Sequence, residues 1–436
     1  MKKRVASLLA IAASIVLIAA PAFAATAVIY KGTLGSTAIV VELSADVETA
    51  TGAVTGRYAY MSKGIDIPLD VQHAAPGEVE LVEEKPCTVD LCKDVPNDAP
   101  EGTLPTPPLG AKWHLEAAAG GKVSGTWQDG GKTLPIALER VGSRRLDENF
   151  TPIPSSLSAV LINFYADEEN LTAKTSPYDY LKMQVPYKAS TPTQWGEVAF
   201  DYLTDPRTKF PFPHVISLGG ADMTPVNDYL DSAHWENSAG ALDCMASVYQ
   251  GLGWYEGLSD DAGTLGGFED EQLEVTYLSP TVMSYTQGGS IFCGGAHPDN
   301  HFIQTTLDVR AGKPLDMSRI FKGWVPTPFA DGGSTDLDYA RAHPDDYEWG
   351  PDQQLADFVR AHRNKDGDEE DCGYDDLVES NLKISFLNGD KVSFGLDGLA
   401  NVIFACTEEL YQAPIASLGD LLTPEAADYF PSLKGK

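Results

Sequence analysis

The turn Gly294-Gly295-Ala296-His297 and the residues after it have the types and spacing that most favour a functional site. His297 and His301 are four residues apart, a metal-ligand spacing when both lie on one helical turn. Pro298 and the two glycines favour a loop instead, so no metal is expected here. Because glycine permits the backbone angles of a tight turn, we predict a binding turn in which His297 bonds to a neighbouring sheet.

The run of residues 364–371 gathers oxygen ligands of the kind that calcium prefers. Gly367 is at the fourth position of this run, whereas an EF-hand loop requires its glycine at the sixth. A solvated acidic loop is therefore favoured, and calcium binding near Asp366 is left open. No other cofactor is indicated.

Familiar catalytic signatures do not occur in this sequence. It contains no Gly-x-Ser-x-Gly elbow, no phosphate-binding glycine loop and no His-Glu-x-x-His zinc motif. The 63 acidic residues offer too many candidates to single out a carboxylate pair for glycoside cleavage. We therefore assign no catalytic residue, and a binding protein is favoured over an enzyme.

The cysteines indicate disulfides rather than metal ligands, because their number is even and no CxxC pair occurs. The six are Cys87, Cys92, Cys244, Cys293, Cys372 and Cys406. The first two are close enough in sequence to close a small loop. The other four allow three pairings, of which Cys244 with Cys293 and Cys372 with Cys406 is favoured.

Residues 1–24 have the organisation of a secretory signal. Three basic residues precede an apolar run that is short for a membrane span, and Ala22-Phe23-Ala24 forms a small-residue cleavage motif. The mature chain should begin near Ala25 and work in the periplasm or outside the cell. No later stretch approaches the ~20 apolar residues of a membrane span.

The chain is strongly acidic. Removal of the signal leaves 28 basic against 63 acidic residues, a formal charge of −35. Such a surface repels phosphate backbones and anionic headgroups, which makes nucleic acid a poor partner. Cationic proteins or metal ions are better partners, although the charge also serves solubility.

Residues 25–142 are predicted to form an antiparallel β-barrel. Short apolar runs alternate with glycine-bearing turns, and no stretch keeps a helical period for long. An internal repeat supports hairpins, since Gly52-Ala-Val-Thr-Gly-Arg-Tyr58 is answered by Gly121-Lys-Val-Ser-Gly-Thr-Trp127. A meander of hairpins must close or be covered to protect its edges. Its aromatic residues either fill the core or line a cavity for a small apolar ligand.

Residues 143–156 are predicted to be a linker, and residues 157–436 an antiparallel α+β domain. One helix is predicted to start at Thr224-Pro225 and another to cover residues 353–362. The predicted strands include residues 180–187, 273–285, 302–309, 382–386, 391–394 and 402–404. The overall fold class is therefore α+β, with an all-β first domain.

A family resemblance rests on a strand segment, Val275-Thr-Tyr-Leu-Ser-Pro-Thr-Val-Met-Ser-Tyr285, and on the turns and spacing that follow it. The segment, the Gly-Gly-Ala-His turn and the Gly312-Lys-Pro-Leu315 turn resemble the C-terminal extracytoplasmic domain of lysozyme-sensing anti-sigma factors. The same domain occurs in some peptidoglycan deacetylases. The resemblance covers roughly residues 155–422. It implies a binding site at Gly294, Gly295, Ala296, His297 and Asp308.

In that family the domain binds lysozyme or belongs to cell-envelope proteins, and no catalysis is attributed to it. This chain departs from the sensors because it has no transmembrane helix and no cytoplasmic sigma-binding segment. We therefore expect an exported binding protein that captures a basic envelope protein, such as a lysozyme. The alternatives are a cell-envelope hydrolase with an unrecognised site and a small-ligand carrier that uses the barrel.

Overall fold

The computed structural model describes most of the chain, and its secondary structure is mainly β-sheet. The described ranges are 26–86, 108–146, 172–249, 271–291, 298–330, 333–364 and 372–434. The first two ranges form one closed barrel, and the others form smaller antiparallel sheets with helices around them. The predicted α+β class is confirmed.

Eight antiparallel strands form the barrel. They are β1 (Thr26–Leu34), β2 (Thr37–Leu43), β3 (Gly56–Tyr60), β4 (Asp66–Ala75), β5 (Glu78–Glu84), β6 (Leu109–Ala118), β7 (Lys122–Asp129) and β8 (Lys132–Arg145). Each strand pairs with the next, and β1 pairs with β8, so no edge is left open. Strand β8 continues to Arg145 and so includes the first residues of the predicted linker.

Side chains fill the interior of the barrel. The inward residues alternate with outward ones along each strand and are mostly apolar, among them Tyr30, Val41, Leu81, Leu115 and Leu138. Tyr58 and Trp113 are fully buried in this core, and Tyr60 and Trp127 pack against it. The interior of an eight-stranded barrel is filled by side chains or holds one small ligand, and these four rings belong to the packed side chains. The predicted aromatic residues therefore serve the core.

The repeated glycine pattern of the barrel has a structural reason at both of its positions. The first glycines, Gly52 and Gly121, have φ angles of +75° and +73°, which residues with side chains rarely adopt. A Cβ atom at Gly56 or Gly125 would lie 2.3 or 2.1 Å from a carbonyl oxygen of the neighbouring strand. Each repeat therefore uses one glycine to turn the chain and another to let two strands approach.

The first helix after the barrel, α1 (Pro177–Lys182), packs on the outer wall of the barrel. Its Tyr178 and Leu181 join an apolar cluster with wall residues Ile29, Val40 and Ala59. The prediction of a strand at residues 180–187 is wrong. Proline in the first turn, an acidic residue near the N-terminus and Lys182 near the C-terminus all favour a helix here.

A buried ion-pair cluster fixes α1 to the barrel. The guanidinium group of Arg57 contacts the carboxylates of Glu42 at 2.9 Å, Asp66 at 2.8 Å and Asp179 at 3.0 Å. The ammonium group of Lys182 lies 3.2 Å from Asp66 as well. Because these charges neutralise one another away from solvent, removal of Arg57 would leave uncompensated buried charge.

The rest of the described chain forms smaller sheets and helices. The strands are β9 (Lys188–Ala189), β10 (Thr193–Trp195), β11 (Val198–Thr204), β12 (Pro211–Leu218), β13 (Gln272–Leu278), β14 (Val282–Ile291), β15 (Asp299–Asp308), β16 (Lys313–Pro314), β17 (Trp324–Pro328), β18 (Tyr347–Pro351), β19 (Leu382–Leu387), β20 (Lys391–Leu396) and β21 (Glu409–Pro414). The helices are α2 (Thr224–Tyr249), α3 (Leu337–Ala342), α4 (Gln353–His362), α5 (Tyr374–Ser380) and α6 (Ala426–Tyr429). The sheets are β9–β12, β13–β16, β17–β18 and β19–β21, and the pairs within them are antiparallel.

Two apolar cores hold these elements together. One lies between α2 and the sheets β9–β12 and β13–β16, and includes Phe200, Phe212, Val226, Leu230, Met283 and Leu307. The other lies among α4, α5, the sheet β19–β21 and the C-terminal segment, and includes Phe321, Leu355, Phe386, Phe394 and Phe430. The sheet β13–β16 therefore lies between the two cores and contacts both.

The predicted helices at Thr224 and at residues 353–362 are confirmed. The second, α4, begins after Asp352, whose side chain accepts a hydrogen bond from the amide of Leu355 at 2.8 Å. The predicted strand at residues 402–404 is wrong, because Asn401–Cys406 is a 3₁₀ helix. Val402 is 90% exposed, so the apolar run that suggested a strand does not mark a buried segment.

One predicted disulfide is present in the structure. Cys372 and Cys406 are bonded, with a Cα–Cα distance of 5.6 Å. Cys244 is also disulfide-bonded, but its predicted partner Cys293 and the pair Cys87 and Cys92 lie outside the described residues. Within the described ranges, no helix combines the length and the apolar character that crossing a bilayer requires.

Candidate functional site

The hairpin of β14 and β15 carries the residues that the sequence singles out. The predicted binding turn Gly294-Gly295-Ala296-His297 belongs to the connection between these strands and lies outside the described residues. Asp308 ends β15, where it pairs with Val282. The strand from Asp299 to Asp308 is about 30 Å long. Asp308 is therefore far along the strand from the connection, and binding by the turn stays a prediction.

Asp308 organises the tight turn after β15. Its Oδ1 accepts hydrogen bonds from the amides of Arg310 and Ala311 at 3.0 and 3.2 Å. At Gly312, which has a φ of +59°, a Cβ atom would lie 2.2 Å from the carbonyl oxygen of Pro225 in α2. The glycine therefore lets this turn approach the N-terminal end of α2.

Asp308 also lines a pocket of about 430 Å³. The walls come from the β15–β16 turn, the 3₁₀ helix Met317–Arg319, β17, α3, β18 and α6. The volume falls within the range of pockets that bind small molecules or single large side chains. We call this the Asp308 pocket.

Apolar and aromatic surface forms much of the Asp308 pocket. Leu315 and Trp324 are buried in the adjoining core, and Trp349 packs against that core while staying partly exposed. The guanidinium group of Arg310 lies 4.5 Å from the ring centroid of Tyr429, a cation–π contact. Burial, together with the charge of Asp308 and a hydrogen bond to it, raises the pKa of Tyr429 above its ordinary value. The pocket thus offers aromatic rings that are already held in place.

Paired charges form the polar part of the Asp308 pocket. Oδ2 of Asp316 lies 3.0 Å from Nε of Arg341 and 3.5 Å from Nε of Arg319. Oδ1 of Asp316 accepts a hydrogen bond from the amide of Ser318 at 3.0 Å. With Lys313, the lining has three cations and two carboxylates, so the pocket itself is close to neutral. It suits an apolar or aromatic group with a polar end rather than a free cation.

Residues 210–309, which include α2 and lead along the chain to the Asp308 pocket, are strongly acidic. Between Lys209 and Arg310 the sequence has no lysine or arginine and fourteen acidic residues. Exposed carboxylates of this stretch lie before and along α2, on β13 and at the start of β15: Asp222, Asp228, Asp231, Glu236, Glu274 and Asp299. No lysine or arginine of the same stretch balances them, so the stretch carries a net negative charge that attracts cations.

A second polar cluster lies near the start of β15, and of its residues the sequence singles out only His301, through its spacing from His297. Nε2 of His301 lies 2.6 Å from Oε1 of Glu271, and that oxygen also accepts a hydrogen bond from Gln287 at 2.9 Å. The bond to Glu271 raises the pKa of His301 above its ordinary value. Among the described residues, the other ring nitrogen faces only the backbone carbonyl of Asp299, at 3.4 Å. The histidine therefore ties β15 to the residue that precedes β13.

Of the acidic run at residues 364–371, the structure describes only Asn364. The amide of Asn364 donates a hydrogen bond to the carbonyl of Leu410 at 3.0 Å, which fixes the end of α4 against β21. Residues 365–371 lie outside the described ranges. Calcium binding near Asp366 therefore stays untested.

Comparison with known proteins leaves the family of this chain open. No protein-family model matches the sequence, and no curated protein is detectably similar to it. The resemblance to the lysozyme-sensing domain therefore stays a prediction.

Proposed function

We propose that this chain is an exported binding protein that captures a basic protein of the cell envelope, such as a lysozyme. The observation that carries the proposal is the uneven distribution of charge. Residues 25–146 contain 11 basic and 16 acidic residues, whereas residues 147–436 contain 17 and 47. Most of the net negative charge therefore belongs to the part that contains the Asp308 pocket.

A concentrated negative charge attracts a cationic protein over long distances. Attraction of this kind raises the association rate and weakens as salt screens it. The stretch without lysine or arginine, residues 210–309, supports the same role because five of its exposed carboxylates lie before and along α2 and on β13, which pack into one core. Charge therefore brings the partner to the surface, and short-range contacts must then hold it.

The Asp308 pocket supplies a place for such contacts. A few buried aromatic or apolar anchors carry most of the energy of a protein interface. Trp324, Trp349 and Tyr429 can receive one side chain of the partner, and the nearby guanidinium and carboxylate groups can bond to its polar end. The charged surroundings would attract the partner, and the nearly neutral pocket would hold one of its side chains. This arrangement supports protein capture over catalysis.

Binding to a purified lysozyme tests the proposal. Biolayer interferometry with the mature protein should show a complex at about 25 mM salt and a slower association at about 150 mM. Absence of any complex at the lower salt concentration would reject the proposal.

The role of the pocket is tested by Trp349→Ala, with Trp195→Ala as the matched control. Trp195 is also partly exposed but packs edge-to-face on Phe200, in the other core. We expect Trp349→Ala to speed dissociation at least tenfold and to leave the salt dependence of association unchanged, whereas Trp195→Ala should alter neither. Equal dissociation rates for both variants would rule out the pocket as the anchor.

A further inference from the structure

The outer wall of the barrel carries a cluster of potential metal ligands on adjacent strands. The cluster consists of Glu78 and Glu80 of β5 and His114 and Glu116 of β6. Across the two strands, Glu78 pairs with Glu116 and Glu80 pairs with His114. The residues that alternate with them are buried in the barrel core: Val79, Leu81, Trp113 and Leu115. All four side chains of the cluster therefore point outward on one face.

The distances within this cluster fit a tetrahedral metal ion. Nδ1 of His114 lies 3.7 Å from a carboxylate oxygen of Glu78 and 3.7 Å from one of Glu80. The three ligand atoms all lie within 4.8 Å of one another. In a tetrahedral zinc site with bonds of about 2.0–2.2 Å, neighbouring ligand atoms are about 3.4 Å apart. Small side-chain rotations would therefore bring these three atoms to bonding distance of one ion.

Glu116 supports the imidazole from the other side. Its carboxylate lies 3.2 Å from Nε2 of His114. Histidines that bind metals commonly donate their second ring N–H to a carboxylate, which fixes the ring and leaves a lone pair on the nitrogen facing the metal. A hydrogen bond from Nε2 to Glu116 leaves Nδ1 as that nitrogen, on the side of Glu78 and Glu80.

The charge of the cluster also points to a cation. Glu78 and Glu116 are like charges in directly opposed positions, an arrangement that destabilises a sheet. In the described part of the chain, the only ion-pair partner of Glu78, Glu80 and Glu116 is the single imidazole of His114. A bound divalent cation would remove this repulsion.

Another outward-facing histidine lies on the next strand. His73 of β4 pairs with Glu80 and faces outward, because its neighbour Ala74 packs against the barrel core. Adjacent strands are about 4.8 Å apart. One row of the outer wall therefore runs His73, Glu80, His114, with an acidic residue between two histidines.

We propose that Glu78, Glu80 and His114 bind a divalent transition metal, with zinc the best match, and that Glu116 positions the imidazole. Two carboxylates and an imidazole are a zinc ligand set, and His73 or a water molecule completes the tetrahedron. The site lies on the barrel and does not depend on the proposed capture of a basic protein.

Isothermal titration of tag-free, chelator-treated mature protein with zinc chloride tests the site. We expect one equivalent of tight binding, a loss of affinity of at least tenfold in His114→Ala, and a loss of about tenfold in Glu116→Gln, the positioning residue. The matched control is His343→Ala, since His343 is also exposed but its ring bonds to the backbone carbonyl of Tyr339. The affinity of the His343→Ala variant for zinc should equal that of the wild type.

Cobalt binding provides a second measurement, which would not differ between the wild type and His114→Ala if His114 had only a structural role. A tetrahedral cobalt complex absorbs strongly in the visible range, and this absorption should be present in the wild type and absent in His114→Ala. Circular dichroism confirms that each variant is folded. Wild-type protein without a stoichiometric zinc site, or His114→Ala protein that binds zinc as tightly as the wild type, would overturn the proposal.

Discussion

Replacement of Glu84 by glutamine should stabilise the protein at neutral pH. Glu84 is 1% exposed on the outer wall of the barrel, beside Asp70, which is 3% exposed. The hydroxyl of Tyr249, in the last turn of α2, donates a hydrogen bond to the backbone carbonyl of Glu84 at 2.9 Å. Burial first, and then the charge and hydrogen bond of Asp70, raise the pKa of Glu84 to about 9.

The magnitude follows from the difference in proton binding between the folded and unfolded chains. The ordinary pKa of this carboxyl is 4.5, so at neutral pH the unfolded chain releases a proton that the folded chain retains. The stability that Glu84 contributes is complete below about pH 4.5 and is lost as the pH rises towards 9. At about 1.4 kcal/mol for each pH unit, the loss at pH 7 is about 3 kcal/mol. Glutamine stays neutral at every pH and can still donate a hydrogen bond to Asp70.

Urea unfolding of the wild type and Glu84→Gln near pH 5 and near pH 7 measures this difference. The variant should gain up to about 3 kcal/mol at the higher pH and little at the lower one. Glu48→Gln is the matched control, because Glu48 is an exposed barrel residue. A variant less stable than the wild type at pH 7, or one with the same pH dependence, would refute this reasoning.

Three further changes test buried charge and covalent links. Arg57→Met should destabilise the protein by about 3–5 kcal/mol, because three buried carboxylates lose the cation that they share and, within the described chain, only Arg144 and Lys182 remain beside them. Urea unfolding measures the loss, and wild-type stability would contradict it. Replacement of both Cys372 and Cys406 by serine removes a bridge between residues 34 apart and should lower the free energy of unfolding by roughly 4 kcal/mol. An unchanged unfolding midpoint would argue against this. Burial lowers the pKa of His234 from 6.5 to about 4, so its stability contribution is complete above pH 6.5 and is lost as the pH falls through 4. His234→Phe should therefore flatten the acid limb of the stability curve, and an unaltered limb would show that another group titrates there.

The barrel was largely predictable because most of its strands have one buried and one exposed face. Alternating apolar residues, with glycines at the turns, mark such strands in the sequence. Strand β4 is harder to predict, since its outward residues Asp66 and Asp70 are buried among other polar groups and not exposed. The pattern of polar and apolar residues then no longer reports burial.

Strands β11 and β12 were not predicted, for a related reason. Prolines at 211 and 213 weaken the strand signal of β12. Asp201 of β11 is buried and lies 3.1 Å from the imidazole of His214 in β12. Their pairing stabilises the sheet through contacts that single-residue preferences do not report.

The two candidate sites show where prediction from sequence ends. Of the residues that line the Asp308 pocket, only Asp308 was predicted to bind, through a family resemblance, since the pocket joins residues as distant as Leu315 and Tyr429. In the metal cluster, the spacings Glu78-x-Glu80 and His114-x-Glu116 place each pair on one face of a strand. The register of β5 against β6, which the sequence does not state, brings the two pairs together.

Sedimentation velocity with native and succinylated lysozyme tests most directly whether the acidic second half captures a basic protein. Succinylation replaces the positive charge of lysine with negative charge, so only the native lysozyme should co-sediment with the mature chain at low salt. Co-sedimentation of both forms, or of neither, would contradict the account.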